Sequence, residues 1–95
     1  MTYFAVELLF DQDEDFRLAT RATHREYLAT LVAAGSLLMA GPLADGTGAL
    51  LTFRVADRAE LDALLAADPY FVGEQQAASV ISVREWGVLD LAASK

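Results

Sequence analysis

Apolar runs at four places along the chain predict four β-strands. The first, Tyr3 to Phe10, is mainly apolar on both of its alternating faces. The second, Ser36 to Gly41, is a short apolar run, and turn residues from Pro42 to Gly48 connect it to the third strand, Ala49 to Val55. In the third strand and in the fourth, Ser79 to Trp86, apolar positions alternate with more polar ones.

Apolar residues at helical spacing predict two helices. The first runs from Glu14 to Ala34, with Asp13 as its N-cap and Gly35 as the glycine that ends it. The second runs from Arg58 to about Ala67 and is capped by Asp57. The stripe that faces the sheet is expected to hold Phe16, Thr20, His24, Tyr27, Leu28, Leu31 and Val32 in the first helix, and Leu61, Leu64 and Leu65 in the second.

The element order β-α-β-β-α-β predicts an α+β, ferredoxin-like fold, in which a four-stranded antiparallel sheet has both helices on one face. The first strand is apolar on both faces, so the other sheet face also requires cover. A second copy of the chain is the simplest cover, which predicts a homodimer through the sheet faces, a dimeric α+β barrel. We expect one domain over residues 1–95, with a loose tail at 88–95.

Composition narrows the functional classes. The chain has 95 residues, of which 55% are hydrophobic and 22% charged, a balance that excludes a disordered chain. Its net charge is −7 and its seven cations are scattered along the sequence, so nucleic acids and anionic membrane surfaces are poor partners.

Targeting and redox signals point to the cytoplasm. Cysteine is absent, which excludes disulfides and thiolate catalysis. No apolar stretch approaches the roughly 18 to 20 residues of a membrane span, and the N-terminal residues lack the charged start of a signal peptide. We therefore expect a cytoplasmic protein.

His24 is the only histidine of the chain and the first candidate for chemistry. Imidazole exchanges protons near neutral pH, so His24 is a candidate general acid or base. Asp68 is its best partner, because the residue follows the second helix at a height that matches His24 on the first. The alternatives are a partly buried structural histidine and an aspartate that forms the turn before Pro69.

Arg21 lies three residues before His24 on the same helix face and is a candidate to bind a substrate carboxylate. The alternative is a solvated arginine paired with an acid. Arg17 and Arg25 extend the basic stretch but are expected to be more exposed. Gly41-Pro42 and Gly48 bracket the hairpin, where glycines either let a ligand approach the backbone or serve the turn alone.

Metal sites are not predicted. The acidic run from Asp11 to Asp15 resembles the start of a calcium loop, but Phe16 stands at the glycine position and Ala22 at that of the bidentate glutamate. A zinc site needs several convergent ligands, and the chain has one histidine. We expect no metal and no cofactor.

Together these residues resemble the YciI-like (YCII-related) domain family over about Met1 to Gly87. The resemblance is carried by the run from Arg21 to Leu28, Leu31, Gly35, Gly41-Pro42, Gly48, Asp68-Pro69-Tyr70 and Trp86. It implies a ferredoxin-like dimeric α+β barrel with an active site built on His24 and Asp68, and it places Arg21 and Gly41-Pro42 in motif positions. The chain departs from the family pattern after Tyr70, where residues 71–78 are more polar.

Two functional hypotheses follow. In the first, the protein is a cofactor-independent enzyme, an isomerase, lyase or dehalogenase, in which His24 moves a proton, Asp68 orients it and Arg21 holds a small anionic substrate. In the second, the protein is a non-catalytic dimeric module that binds a small ligand or acts as an accessory domain. In a third hypothesis, His24 is an axial haem ligand.

Overall fold

The computed structural model describes residues 1–92 and contains the six predicted elements in the predicted order. Every boundary agrees with the sequence-based prediction to within one residue. The elements are β1 Thr2–Leu9, α1 Glu14–Ala34, β2 Leu37–Pro42, β3 Gly48–Val55, α2 Arg58–Ala66 and β4 Ser79–Glu85.

The four strands form one antiparallel sheet in the order β2-β3-β1-β4. This order and the two helices confirm the predicted ferredoxin-like α+β fold. On the helix side of the sheet, Val6 of β1 pairs with Leu51 of β3, and Phe4 pairs with Phe53. All four side chains are buried, and they form one core with Leu31 of α1 and Leu61 of α2. Both helices therefore cover the same sheet face.

Both helices begin at the predicted caps. The Asp13 carboxylate accepts a hydrogen bond from the Phe16 N–H at 3.0 Å, and the Asp57 carboxylate accepts one from the Glu60 N–H at 2.9 Å. Each bond pairs a backbone donor that has no partner within its helix. Gly35 ends α1 with φ of 81°, a left-handed conformation that glycine adopts without strain.

The inward stripe of α1 agrees with the prediction at most positions. His24 and Leu31 are buried, and Tyr27 and Leu28 are partly buried against the core. Val32 is the exception: the prediction placed it inward, but its side chain is 52% exposed. Val32 lies about one turn beyond Leu28, where its side chain borders an open cleft.

The β2–β3 hairpin differs from the prediction at Pro42. The sequence predicted that Pro42 opens the turn, whereas it is the last residue of β2 and pairs with Ala49. Proline is tolerated there because β2 is an edge strand. Gly48 opens β3 beside β1, where a Cβ atom would overlap the Leu8 carbonyl oxygen. The close approach of two strands, rather than the turn alone, thus explains this glycine.

The sheet face away from the helices is apolar and open in the single chain. Met39 is 70% exposed on this face, and the partly exposed Leu50 and Trp86 lie nearby. Together with neighbouring residues they line a groove of about 580 Å³. The sheet thus keeps the second apolar face that the sequence pattern predicted.

No helix within residues 1–92 is long and apolar enough to cross a membrane. Of the predicted tail at 88–95, residues 93–95 lie outside the described part of the chain.

Candidate active site

His24 and Asp68 are hydrogen-bonded to each other in the interior of the protein. The imidazole Nδ1 lies 2.7 Å from the Asp68 Oδ1, and the residues are 8% and 1% exposed, respectively. Asp68 reaches this position because the chain turns just after α2, where the Phe71 N–H donates to the Asp68 carbonyl oxygen at 2.8 Å. The structure therefore brings together two side chains that are 44 positions apart in the sequence.

The hydrogen bonds of Asp68 indicate where the imidazole carries its proton. The same oxygen, Oδ1, also accepts the Tyr70 backbone N–H at 2.9 Å. An ionised carboxylate can only accept, so Nδ1 carries the proton and donates it to Oδ1. Neutral His24 then has its free lone pair on Nε2.

Nε2 is open to a cleft beside α1. His24 lines this cleft, and no residue within 1–92 forms a hydrogen bond with Nε2. No buried side-chain nitrogen or oxygen of the described chain lacks a partner, which means that Nε2 is in contact with solvent. The imidazole is thus anchored through one nitrogen and presents the other to the cleft.

Tyr70 holds the imidazole from one side. Its ring stacks on that of His24 with a centroid distance of 3.7 Å and an interplanar angle of 3°. Burial raises the pKa of the Tyr70 hydroxyl, while the positive charge of Arg17 opposes that rise and the negative charge of Asp68 adds to it. Arg21 and Arg25 also oppose the rise. Tyr70 is therefore a neutral positioning group for His24 at neutral pH.

This stacking was not predicted from the sequence, in which Tyr70 was considered only as part of a family motif. An aromatic residue two positions after the candidate Asp68 is the signal that was available.

The cleft has a volume of about 500 Å³ and contains most of the expected site residues. His24, Arg21, Gly41 and Pro42 line it directly, and Asp68 lies behind the imidazole. A Cβ atom on Gly41 would meet no atom within 4 Å, so packing within the chain does not require glycine at this position.

The prediction that Arg17 is more exposed than Arg21 is wrong. Only 15% of the Arg17 side chain is accessible, and its guanidinium lies 4.3 Å from the centroid of the Phe10 ring. Arg25 is exposed as predicted, yet it too lines the cleft. The sequence signal for a shared cleft was the four-residue spacing of Arg17, Arg21 and Arg25, because it places them on one row of a helix.

Metal binding finds no support in the described residues. Within 1–92, no group of three or more His, Cys, Asp or Glu side chains is arranged to hold a metal ion.

Comparisons with known proteins place the chain in a family and a fold. The sequence profile of the YCII-related domain matches residues 1–87. Among solved structures, the chain is similar to 5-chloro-2-hydroxyhydroquinone dehydrochlorinase (TftG) from Burkholderia phenoliruptrix AC1100 in complex with 2,5-dihydroxybenzoquinone. The TM-score is 0.70, with 90% of this chain and 93% of that chain covered. The sequence identity is 22%, so this similarity shows a shared fold alone. No curated protein matches the chain.

Proposed function

The chain belongs to the YCII-related domain family, and from this premise we propose that it is a cofactor-independent enzyme that transfers a proton on a small anionic molecule. His24 is the general acid and base, Asp68 orients it and stabilises its protonated form, and Arg21 binds a carboxylate of the substrate. The observation that carries the proposal is the buried 2.7 Å bond between His24 and Asp68, combined with the open Nε2 on the other side of the ring.

The geometry suits abstraction of a proton from carbon next to a carbonyl group. Nε2 removes the proton, and the resulting imidazolium is stabilised by the Asp68 carboxylate against Nδ1. The proton then returns at another carbon, which is isomerisation, or a leaving group departs from the neighbouring carbon, which is elimination. The dehydrochlorinase of similar fold supports keeping elimination among these outcomes.

A purely structural histidine explains the arrangement less well. Such a residue pairs both ring nitrogens inside the protein, whereas Nε2 of His24 remains available to a ligand. The parallel Tyr70 ring and the fixed Asp68 oxygen limit rotation of the imidazole. A general base has to be held in this way before a substrate arrives.

Deuterium exchange tests the proposed function without knowledge of the natural substrate. The probe is 2-oxoglutarate in D₂O, whose C3–H bonds lie next to a ketone, and NMR follows the loss of the C3 proton signal. We expect the wild type to accelerate exchange, and His24→Gln and Asp68→Asn to lower the enzymatic rate by a factor of about 10² to 10⁴. Asp62→Asn is the matched control, because Asp62 is an exposed aspartate of α2 that pairs with Arg58 outside the cleft.

Two outcomes contradict the proposal. If the wild type leaves the rate of exchange at its value in buffer, or if His24→Gln exchanges as fast as the wild type, His24 is not the proton carrier. Saturable binding of 2-oxoglutarate without exchange favours the alternative, a small-ligand-binding module that uses the same cleft.

We also propose that the chain forms a homodimer through the open sheet face. A two-fold interface places one surface patch against itself, so the patch has to be self-complementary. This face satisfies that condition, since exposed Met39 and Leu50 supply apolar area while Glu7, Arg54 and Arg84 supply both signs of charge. Apolar patches of this kind are covered in most stable proteins.

Light scattering at micromolar concentration tests the dimer. We expect a mass of twice the 10.2 kDa of one chain, and a shift to the single-chain mass in Met39→Glu because the interface would remove the new carboxylate from water. Leu89→Glu is the control, since Leu89 is exposed but does not line the groove. A wild-type mass of 10.2 kDa would refute the dimer.

A further inference from the structure

Positive charge is concentrated along one side of the cleft. The sequence holds seven Lys and Arg residues against fourteen Asp and Glu, and three of those seven line this one cleft. They are Arg17, Arg21 and Arg25, whose spacing of four residues places them on a single row of α1. No acidic side chain lines the cleft within residues 1–92. The basic stretch of α1 thus concentrates positive charge in one cleft, although the protein as a whole is acidic.

These three charges are poorly compensated by the protein itself. The ion pair of Arg17 is with the exposed Glu14, and at 3.8 Å it is too long for a strong hydrogen bond. Arg21 and Arg25 form no ion pair with any residue in 1–92. The positive charge of all three lowers the pKa of Tyr70 against the effect of burial, and Tyr70 itself lines the cleft.

We propose that the substrate is an organic dianion with two separated carboxylates on an apolar carbon body, an inference that rests on the proposed function and narrows its substrate class. Three arginines line the cleft and the carboxylate of Asp68 lies behind His24, so these groups carry a formal excess of two positive charges before any charge on His24 is counted. A monoanion offsets half of this excess, and a dianion offsets all of it.

The spacing of the row favours two anionic groups over one. Successive arginines rise by about 6 Å along the helix axis, so a single compact anion contacts at most two of them. One carboxylate binds Arg21, as proposed above, and the second binds Arg17. Arg17 is the stronger candidate for the second group, because stacking on Phe10 limits its motion and lowers the entropy lost on binding.

The rest of the cleft wall suits a carbon skeleton. Phe10, Leu28, Leu37 and Leu51 present apolar side chains to the same space. His24 lies one helical turn beyond Arg21, about 4.5 Å along the axis. The reacting carbon therefore lies between the carboxylate on Arg21 and the end of the cleft that Arg25 flanks.

Binding of benzene-1,3-dicarboxylate (isophthalate) tests this inference by calorimetry on the wild-type protein. The carboxylates of isophthalate are separated by the width of a benzene ring, comparable to the helical pitch of about 5.4 Å. Its monomethyl ester is the matched ligand, with nearly the same shape and one charge. We expect isophthalate to bind about tenfold tighter than the monoester, and tighter than phenyl phosphate, whose charge sits on a single group.

Variants assign the second charge to Arg17. Arg17→Gln should remove most of the tenfold preference for isophthalate over the monoester, because only the dianion uses both arginines. Arg58→Gln is the control, since it makes the same change of charge at an exposed position on α2. Arg17→Lys keeps the charge and should keep part of the preference, which separates loss of charge from loss of fold.

The outcomes separate this inference from the proposed function. Equal affinity for isophthalate and its monoester, tighter binding of phenyl phosphate, or no isophthalate binding below about 10 mM overturns the dianion. None of these results alters deuterium exchange that depends on His24. Conversely, a preference that depends on Arg17, without such exchange, supports the dianion and overturns the enzyme.

Discussion

Replacement of Asp68 tests whether its charge and its hydrogen bonds play separable roles. Both of its hydrogen bonds, from His24 Nδ1 and from the Tyr70 N–H, end on the same oxygen, Oδ1. Asparagine has an amide oxygen that can occupy that position. The Tyr70 N–H keeps this oxygen in place, because the flipped amide would set its NH₂ group against a second donor. Asp68→Asn therefore removes the charge and keeps both bonds.

The two substitutions differ in their expected free energy of unfolding. Asp68→Asn exchanges charge-assisted bonds for neutral ones, a loss of about 1 kcal/mol. Asp68→Ala leaves two donors in a buried site without an acceptor, and each such donor costs about 1 to 3 kcal/mol. We therefore expect the alanine variant to lose about 2 to 6 kcal/mol, measured by urea unfolding.

The imidazole itself provides the second measurement. The sequence contains one histidine, so the ring ¹⁵N signals belong to His24 without ambiguity. We expect the proton on Nδ1 in the wild type and in Asp68→Asn, and a loss of this preference in Asp68→Ala. Equal stability of the two variants, or a wild-type imidazole with no proton on Nδ1, would refute the reasoning, because neither result fits a donor at Nδ1 and an acceptor at Oδ1.

Three further predictions concern the fold. Gly48→Ala should lower the free energy of unfolding by about 1 to 3 kcal/mol, measured with urea, because the new methyl overlaps the Leu8 carbonyl. Gly41→Ala should change it by less than about 0.5 kcal/mol, and similar losses in the two variants would contradict the strand packing. Asp57→Ala should cost about 1 kcal/mol through loss of the α2 cap, and an unchanged urea midpoint would argue against it. Above pH 10.0 the unfolded state loses tyrosine protons that folded Tyr70 retains, so the free energy of unfolding should fall as pH rises. In Tyr70→Phe it should fall less steeply, and parallel curves of unfolding free energy against pH for the two proteins would exclude Tyr70 as the cause.

Local structure follows from residues that are close together in the chain. Helix caps, turns and alternating strands depend on residues a few positions apart, and for that reason every element boundary was predicted to within one residue. The cap at Asp13 and the left-handed Gly35 are examples, since each acts on backbone groups of its own helix end. The same local patterns predicted the open apolar sheet face through the two apolar faces of the first strand.

The candidate site could be predicted only in part. Helix lengths alone suggested that His24 and Asp68 meet, because both lie at similar heights above their caps. Which ring nitrogen meets the carboxylate, and that Tyr70 stacks on the imidazole, depends on side-chain directions in three dimensions.

Other features depend on contacts between separate segments of the chain and arise only in the folded protein. Arg17 is held inward by Phe10, a residue that lies before the helix begins, and Gly48 is required by a carbonyl of β1. Pro42 extends β2 because Ala49 is there to pair with it. In each case the deciding contact joins different segments of the chain, and the energy of such a contact exists only once the sheet and helices have assembled.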